Sequence, residues 1–444
     1  MGKSKKKKKA QPNQQGGYKK FVSDLMETLA LLKLDYKLFD LPPQQLRFCY
    51  ESSFRVKNPQ RGNDFISAKD IKWVGFMVKY HYRHAHTDVG GCKLTFYQAG
   101  LFLSLCLGTQ FYYSKKRGDD DPYVKLIKDI ASLLLQQIID EFSRTCYLGL
   151  LVNNDPVRIY YSMKRDFLVS AGKLPRIEFI IKLSAYPVRE VSYKINGNAR
   201  PAYRLGYSKI DGMDWVKVSA RKLKNYYSGN KKELPVYIQS HAIIRMVHRL
   251  DLFDNFYLTL QFFINLTPLT NFIFYRGYIL IPFVVRRIKM GYFMATIVKD
   301  VLLIRTFLFI THGSTPEGDR LRALTGMQKQ DLAYWRIDRL STFYGMKDSD
   351  IENLRDIFQK AGAEDILKVK DIKLEGLNTG PNPNLEGLVN FLQLTNENQE
   401  DDLQQWDAFL NDTTRPMKDC YNSACLNISQ TQEPRQKTEE VLSE

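Results

Sequence analysis

Cysteine is scarce in this chain and badly spaced for chemistry. The six are Cys49, Cys92, Cys106, Cys146, Cys420 and Cys425, and no pair has C-x-x-C spacing. That excludes a zinc ribbon and a thioredoxin-type site. Three of the first four sit among apolar neighbours, where a free thiol behaves as a small hydrophobe. The pattern suits a reducing compartment, so a cytoplasmic location is expected, or a nuclear one in a eukaryote. Unbroken apolar runs are lacking as well. "AGLFLSLCLGTQFYY" is too short to span a bilayer. "FYLTLQFFINLTPLTNFIFYRGYILIPFVV" carries Gln261, Asn265, Asn271 and Arg276, each costly in hydrocarbon. No membrane partner is expected. No apolar segment follows the basic start, so no signal peptide is read there. Lys6 stands where a myristoylation signal wants Ser or Thr. Walker, GxGxxG, HExxH and GxSxG motifs are all missing. ATP-driven, dinucleotide-dependent and serine-hydrolase chemistries find no support, and no cofactor is expected.

Acidic residues are also in deficit. Against 65 Lys and Arg stand 48 Asp and Glu, a formal net charge of +17. Such an excess favours anionic partners such as nucleic acid, an acidic protein or a membrane surface. Solubility alone, helped by a lysine-rich tail, is the plainer explanation. Aromatic residues, by contrast, are plentiful, with 26 Tyr and 26 Phe, and the hydrophobic fraction of 44% permits a sizeable core.

The chain divides by pattern. Residues 1–20 form a polybasic tail in which like charges repel. Residues 21–154 read as a helical domain. "SAKDIKWVGFMVKYHYRHAH" predicts a helix capped by Ser67. "LTFYQAGLFLSLCLGTQFYY" is apolar nearly all round and predicts a buried helix. "DDDPYVKLIKDIASLLLQQIIDEF" has a carboxylate-rich start and Pro122 in its first turn. Residues 155–233 are β-rich, with short β-branched and aromatic runs between Gly, Pro and Asn. This segment ends in "SARKLKNYYSGNKK", where Lys222, Lys224, Tyr226, Tyr227 and Lys231 mix positive charge with rings. That mixture suits phosphates and stacked bases, and equally an ordinary exposed loop. Residues 319–373 read as helices, with Ser349 a candidate N-cap and Gly362 a stop. Residues 374–444 read as a flexible tail. Within it, "DDLQQWDAFL" around Trp406 could fold as a short helix on a protein partner.

Residues 234–318 carry the chemistry. "LPVYIQ" predicts a strand, and Ser240 is placed as the N-cap of a helix. At about 100° per residue, His241, Arg245, His248 and Arg249 share one side of that helix, and an apolar face lies opposite. A second helix follows Asp254. Three strands then come in close order, with short connections that include Arg286 and Arg287, predicting an antiparallel meander. The order is β-α-α-β-β-β, and the fold class expected for the whole chain is α+β.

This order, together with "SHAIIRMVHR", resembles the RelE and ParE toxin superfamily and its BrnT-like members, although the spacing in "SHAIIR" departs from theirs. The resemblance implies RNA cleavage without a metal. The ribose 2′-OH attacks the neighbouring phosphorus, a base and an acid move the protons, and cations hold the charged phosphorane. In that reading His241 or His248 is the base and Arg245 and Arg249 clamp phosphate. Arg305, in the last strand, and His312, just beyond it, complete the site. RNA is favoured over DNA as the partner. The alternative is a non-catalytic nucleic-acid-binding or structural protein of a mobile element or packaging assembly. For each of these residues a purely structural role stands beside the catalytic one. His81, His84 and His86 form one further cluster, read as a phosphate-contacting basic patch or surface turn rather than a metal site.

Overall fold

The computed structural model describes residues 14–169, 177–195, 197–209 and 212–372. The fold is α+β, as expected. The chain gathers into two compact units. The first comprises the chain to Asn153, Tyr161–Tyr186 and Ser208–Met213. The second comprises Asn154–Tyr160, Pro187–Tyr207 and the chain from Asp214. The β-rich stretch 155–233 is thus divided between them.

The first unit opens with helices α1 (Gln14–Leu31) and α2 (Pro43–Glu51) and the short strands β1 (Arg55–Val56) and β2 (Gln60–Arg61). Helix α3 (Ala68–His84) follows, then the hairpin β3 (His86–Val89) and β4 (Cys92–Thr95), then α4 (Phe96–Arg117) and α5 (Pro122–Leu151). The cap expected at Ser67 forms. Ser67 and Asp70 make a reciprocal capping box on α3, and Asp121 accepts from the first N–H groups of α5, with Pro122 behind it. Helix α4 is buried through most of its length, including Leu101 to Cys106. Burial pushes the Cys49 and Cys106 thiols up to about 12, so both behave as apolar packing groups. Strands β5 (Ile159–Val169) and β6 (Ile177–Pro187) follow, and β6 pairs in parallel with both β1 and β2. Phe142 of α5 meets Phe96 and Phe179 at ring centroids of 5.1 and 5.0 Å.

The second unit is built on one large sheet. Its first strands are β7 (Glu190–Ile195), β8 (Asn198–Arg204), β11 (Lys217–Ser219) and β12 (Glu233–Gln239), while the short β9 (Gly206–Lys209) and β10 (Gly212–Trp215) form a separate two-stranded sheet. Helices α6 (Ser240–Arg249) and α7 (Asn255–Leu266) come next. Strands β13 (Ile273–Tyr275), β14 (Tyr278–Val285), β15 (Ile288–Val298) and β16 (Val301–Phe309) complete it. The sheet order is β13-β14-β15-β16-β12-β8-β7, with β11 paired to β12. Phe262 of α7 lies against Phe293, and Phe283, Phe293 and Phe307 pack edge to face on the sheet. Truncating a ring in such a cluster costs about 3–5 kcal/mol.

Four expectations need correction. The first predicted strand of the meander is two strands. Arg276 and Gly277, both at positive φ, form a tight turn between β13 and β14, so the meander has four members. Pro282 tolerates its place because β13 pairs only as far as Leu280, leaving that side of β14 open. The sheet is also mixed. The meander is antiparallel, yet β16 runs parallel to β12, a pairing that a connection through two helices permits. Ser240 is the first residue of α6. Gln239, in extended conformation, holds the cap position without a capping bond. Ser349 likewise lies inside α11 (Asp348–Lys360), preceded by Lys347 at the cap.

Beyond β16, Thr315 caps α8 (Pro316–Thr325), accepting from the Gly318 N–H at 3.0 Å. The first turn of α8 is tied to the sheet by buried carboxylates. The Tyr292 hydroxyl donates to Glu317 at 2.8 Å and the Tyr275 hydroxyl to Asp319 at 2.6 Å. Gly326, left-handed at φ 67°, ends α8 before α9 (Lys329–Tyr334) and α10 (Leu340–Tyr344). The segment around Trp406 and the tail 1–13 lie outside the described residues.

Candidate nucleic-acid interface

Strand β12 stops at Gln239, but its two neighbours continue. Gln239 pairs with Ala202 of β8, and beyond that pair β8 extends back to Arg200 and Asn198. On the other side Ile238 pairs with Ile304 of β16, which runs on through Arg305 and Thr306. The missing strand leaves a notch roughly 10 Å wide, two strand spacings. Helix α6 starts at its floor.

Ile195, Asn198, Arg200, Gln239, His241, Met294, Arg305 and Thr306 line a cavity of about 250 Å³ there. Arg305 reaches it through an irregularity. Met294 pairs with Thr306 and the next residue, Ala295, pairs with Ile304, so Arg305 is the extra residue of a β-bulge. A bulge re-aims the side chain of the inserted residue.

The site is strongly positive. Burial holds the Arg305 guanidinium below its ordinary range, and neighbouring Arg200 adds to the effect, against the Tyr278 hydroxyl. His241 is also held below its ordinary value, first by burial and then by Arg200 and Arg245. At neutral pH its imidazole is therefore uncharged and able to accept a proton. The N-terminus of α6, whose cap residue Gln239 makes no side-chain capping bond, adds the positive end of the helix dipole. Two guanidinium groups, a helix N-terminus and a neutral imidazole around one concavity make a receptor for an oxyanion. Asn198, Gln239 and Thr306 supply neutral donors and acceptors beside it.

The other sequence-derived candidates are distributed differently. Arg245 lies near enough to His241 and His312 to lower both, and it forms no ion pair with a described carboxylate. His248 is exposed on the solvent side of α6. Arg249 turns to Asp338, with which it forms a largely buried ion pair. His312 lies in a second cavity of about 180 Å³ with Gly313, Ser314, Arg322 and Lys329. Its Nδ1 accepts the Ser314 N–H at 3.2 Å. Burial, with Arg249 and Lys329 nearby, brings it down to about 4.

The basic-aromatic loop after β11 folds back on the sheet. Tyr227 donates to Asp300 at 2.7 Å, and Lys231 pairs with the same carboxylate at 3.4 Å. Tyr226 and Lys224 both lie on the Phe274 ring, at 4.6 and 5.3 Å, and Lys222 donates to the Leu269 carbonyl at 3.4 Å. Arg286 and Arg287 form the β14–β15 turn, at φ 49° and 69°. The histidine cluster is spread out. His81 faces the backbone of Gly149 in α5, the His84 ring lies 4.5 Å from Tyr80, and His86 is exposed on β3. Among the described residues no three His, Cys, Asp or Glu gather to hold a metal. Nor is any described helix long and apolar enough to cross a membrane.

Sequence reading missed Arg200, Asn198, Gln239 and Thr306. Arg200 stands in "NARPAY", which has no local signature, and only strand register brings it opposite Arg305. Comparison with known proteins finds no matching family model, no matching curated protein and no matching solved structure. The notch must therefore be read from its own chemistry.

Proposed function

We propose that this protein acts on nucleic acid and seats a backbone phosphate in the notch at the end of β12. The observation that carries the reading is the bulge that brings Arg305 into one cavity with Arg200 and His241. The two guanidinium groups and the α6 N-terminus take the phosphate oxygens. Asn198, Gln239 and Thr306, in the same cavity, would serve sugar hydroxyls, which favours RNA through its 2′-OH. The net charge of +17 supports a polyanion over a small free anion.

Metal-independent RNA cleavage, as the RelE resemblance implies, is the second reading, and the neutral imidazole of His241 favours it. His241 would take the 2′-OH proton while O2′ bonds to phosphorus. The P–O5′ bond would break to leave a 2′,3′-cyclic phosphate and a 5′-hydroxyl. The leaving oxygen would take its proton from water, since the notch has one imidazole. Arg200 and Arg305 would hold the phosphorane charge.

The test uses purified full chain with end-labelled RNA and DNA of one sequence, read for binding and for products. Arg200→Ala and Arg305→Ala should each weaken RNA binding about tenfold or more. Affinity should rise as pH falls from 8 to 5.5, because a bound anion favours the charged imidazole, and His241→Ala should flatten that dependence. Cyclic-phosphate ends that disappear in His241→Ala would select the enzymatic reading. Intact bound RNA would select binding alone. A doubly substituted Arg200→Ala, Arg305→Ala chain that binds like the wild type would end both.

A further inference from the structure

Helix α3, in the first unit, has one face that no described element covers. Lys69, Lys72, Trp73, Phe76, Lys79, Tyr80, Arg83 and His84 are all exposed, and at about 100° per residue they fall within one side of the helix. Phe76 is 69% exposed, Tyr80 52% and Trp73 41%. Rings of this size are normally withdrawn from water, and three at successive turns make a continuous feature. The opposite face, Val74, Gly75, Met77 and Val78, is buried, so the helix is anchored without them.

The rings form a staircase. Phe76 and Tyr80 lie near parallel, 29° apart, with centroids at 6.3 Å, and the His84 ring follows at 4.5 Å. A base sandwiched between two rings needs about 7 Å, twice the stacking rise of roughly 3.4 Å. The Phe76–Tyr80 spacing is close to that. From Lys69 to His84 the helix is about 22 Å long, room for about four nucleotides, the lower end of single-strand site sizes.

The charge around the rings is of one sign. The sole carboxylate of α3 is Asp70, held by the Ser67 capping box. Lys69, Lys72 and Lys79 form no ion pair with a described carboxylate. Rings that present open faces between unpaired cations complement a strand whose bases are unstacked and whose phosphates run alongside.

We propose that this face of α3 is a stacking platform for single-stranded nucleic acid, with Trp73, Phe76 and Tyr80 receiving bases and Lys69, Lys72, Lys79 and Arg83 tracking the backbone. It is a site separate from the notch, carried by different observations, and either can fail without the other. A duplex buries its base faces and gains nothing from the rings, so selectivity for single strands is its signature.

The experiment is fluorescence anisotropy of the full chain with labelled U12, dT12 and a 12-base-pair duplex. Phe76→Ala and Tyr80→Ala should each weaken U12 and dT12 binding about tenfold, and leave duplex binding within about twofold. Phe76→Tyr should bind like the wild type, which separates loss of a ring from loss of fold. Trp73 emission should be quenched by U12, and Trp73→Phe should remove that part of the quenching. The proposal fails if the wild type binds neither single strand, if the double Phe76→Ala, Tyr80→Ala chain binds them within twofold of wild type, or if duplex binding falls by the same factor. It also fails if the double variant changes only sedimentation, from dimer to monomer, which would mark the face as a self-association surface. Arg305→Ala, measured in parallel, reports on the notch alone.

Discussion

Histidines of one element end in different electrostatic settings here. His241 and His248 are seven residues apart on α6, yet one lines the notch and the other faces solvent. His312, just beyond β16, is strongly perturbed. Its ordinary value is 6.5 and its folded value about 4, because it is buried among Arg249, Lys329 and Arg245 with only Asp338 to offset them. The fold therefore favours the neutral ring. Its contribution is complete above about pH 6.5 and is lost as pH falls toward 4, by up to about 3 kcal/mol. Denaturant titrations between pH 7 and 4 should show this loss, and His312→Asn should remove most of it, since an amide oxygen can still accept the Ser314 N–H. A wild-type stability that stays level over this range would contradict the assignment. Arg249 has a structural duty beside it. Removing one partner of its pair with Asp338 leaves a largely buried charge uncompensated, at a cost of about 3 kcal/mol.

At the scale of elements, the turns between strands hold unexpected residues. Arg286 and Arg287 both occupy the left-handed region, where Asn and Gly are the usual residues of a two-residue hairpin. A non-glycine residue there costs about 1–2 kcal/mol. Arg287→Gly should accordingly raise stability by about 1 kcal/mol, seen as a higher melting temperature. Should the same variant also weaken RNA binding, the arginine is kept in a strained turn for its charge; unchanged binding would make it dispensable. Gly318 shows the opposite constraint. A Cβ there would overlap the His312 carbonyl, so the loop between β16 and α8 closes only over glycine. The bulge at Arg305 belongs to this scale too. One extra residue in β16 changes which way a guanidinium points, and periodicity along a single strand cannot reveal it.

For the whole molecule, charge is the property legible before any fold. Six lysines lie within the first nine residues, outside the described structure. If they contact phosphate, a chain lacking residues 1–13 should show a shallower slope of log affinity against log salt. Phe76→Ala should lower affinity without changing that slope, because stacking releases no counterions. Equal slopes for the full and shortened chains would leave the tail no part in binding. The α+β class, the helices α3, α4 and α5, and the cap at Ser67 were all readable from the chain. Each depends on residues within a turn or two of one another, where spacing and side-chain type decide the outcome. The notch was half readable: His241 and Arg305 were candidates, while Arg200 had no local mark. It joins residues about 40 and 64 positions apart on either side of His241, and their meeting depends on the register of β8, β12 and β16. Register is set by the packing of both sheet faces together, a collective property that no single segment encodes. Composition and local spacing thus settled the chain's class, its helices and its excess of positive charge. Where that charge converges was decided by a strand that ends early between two that continue.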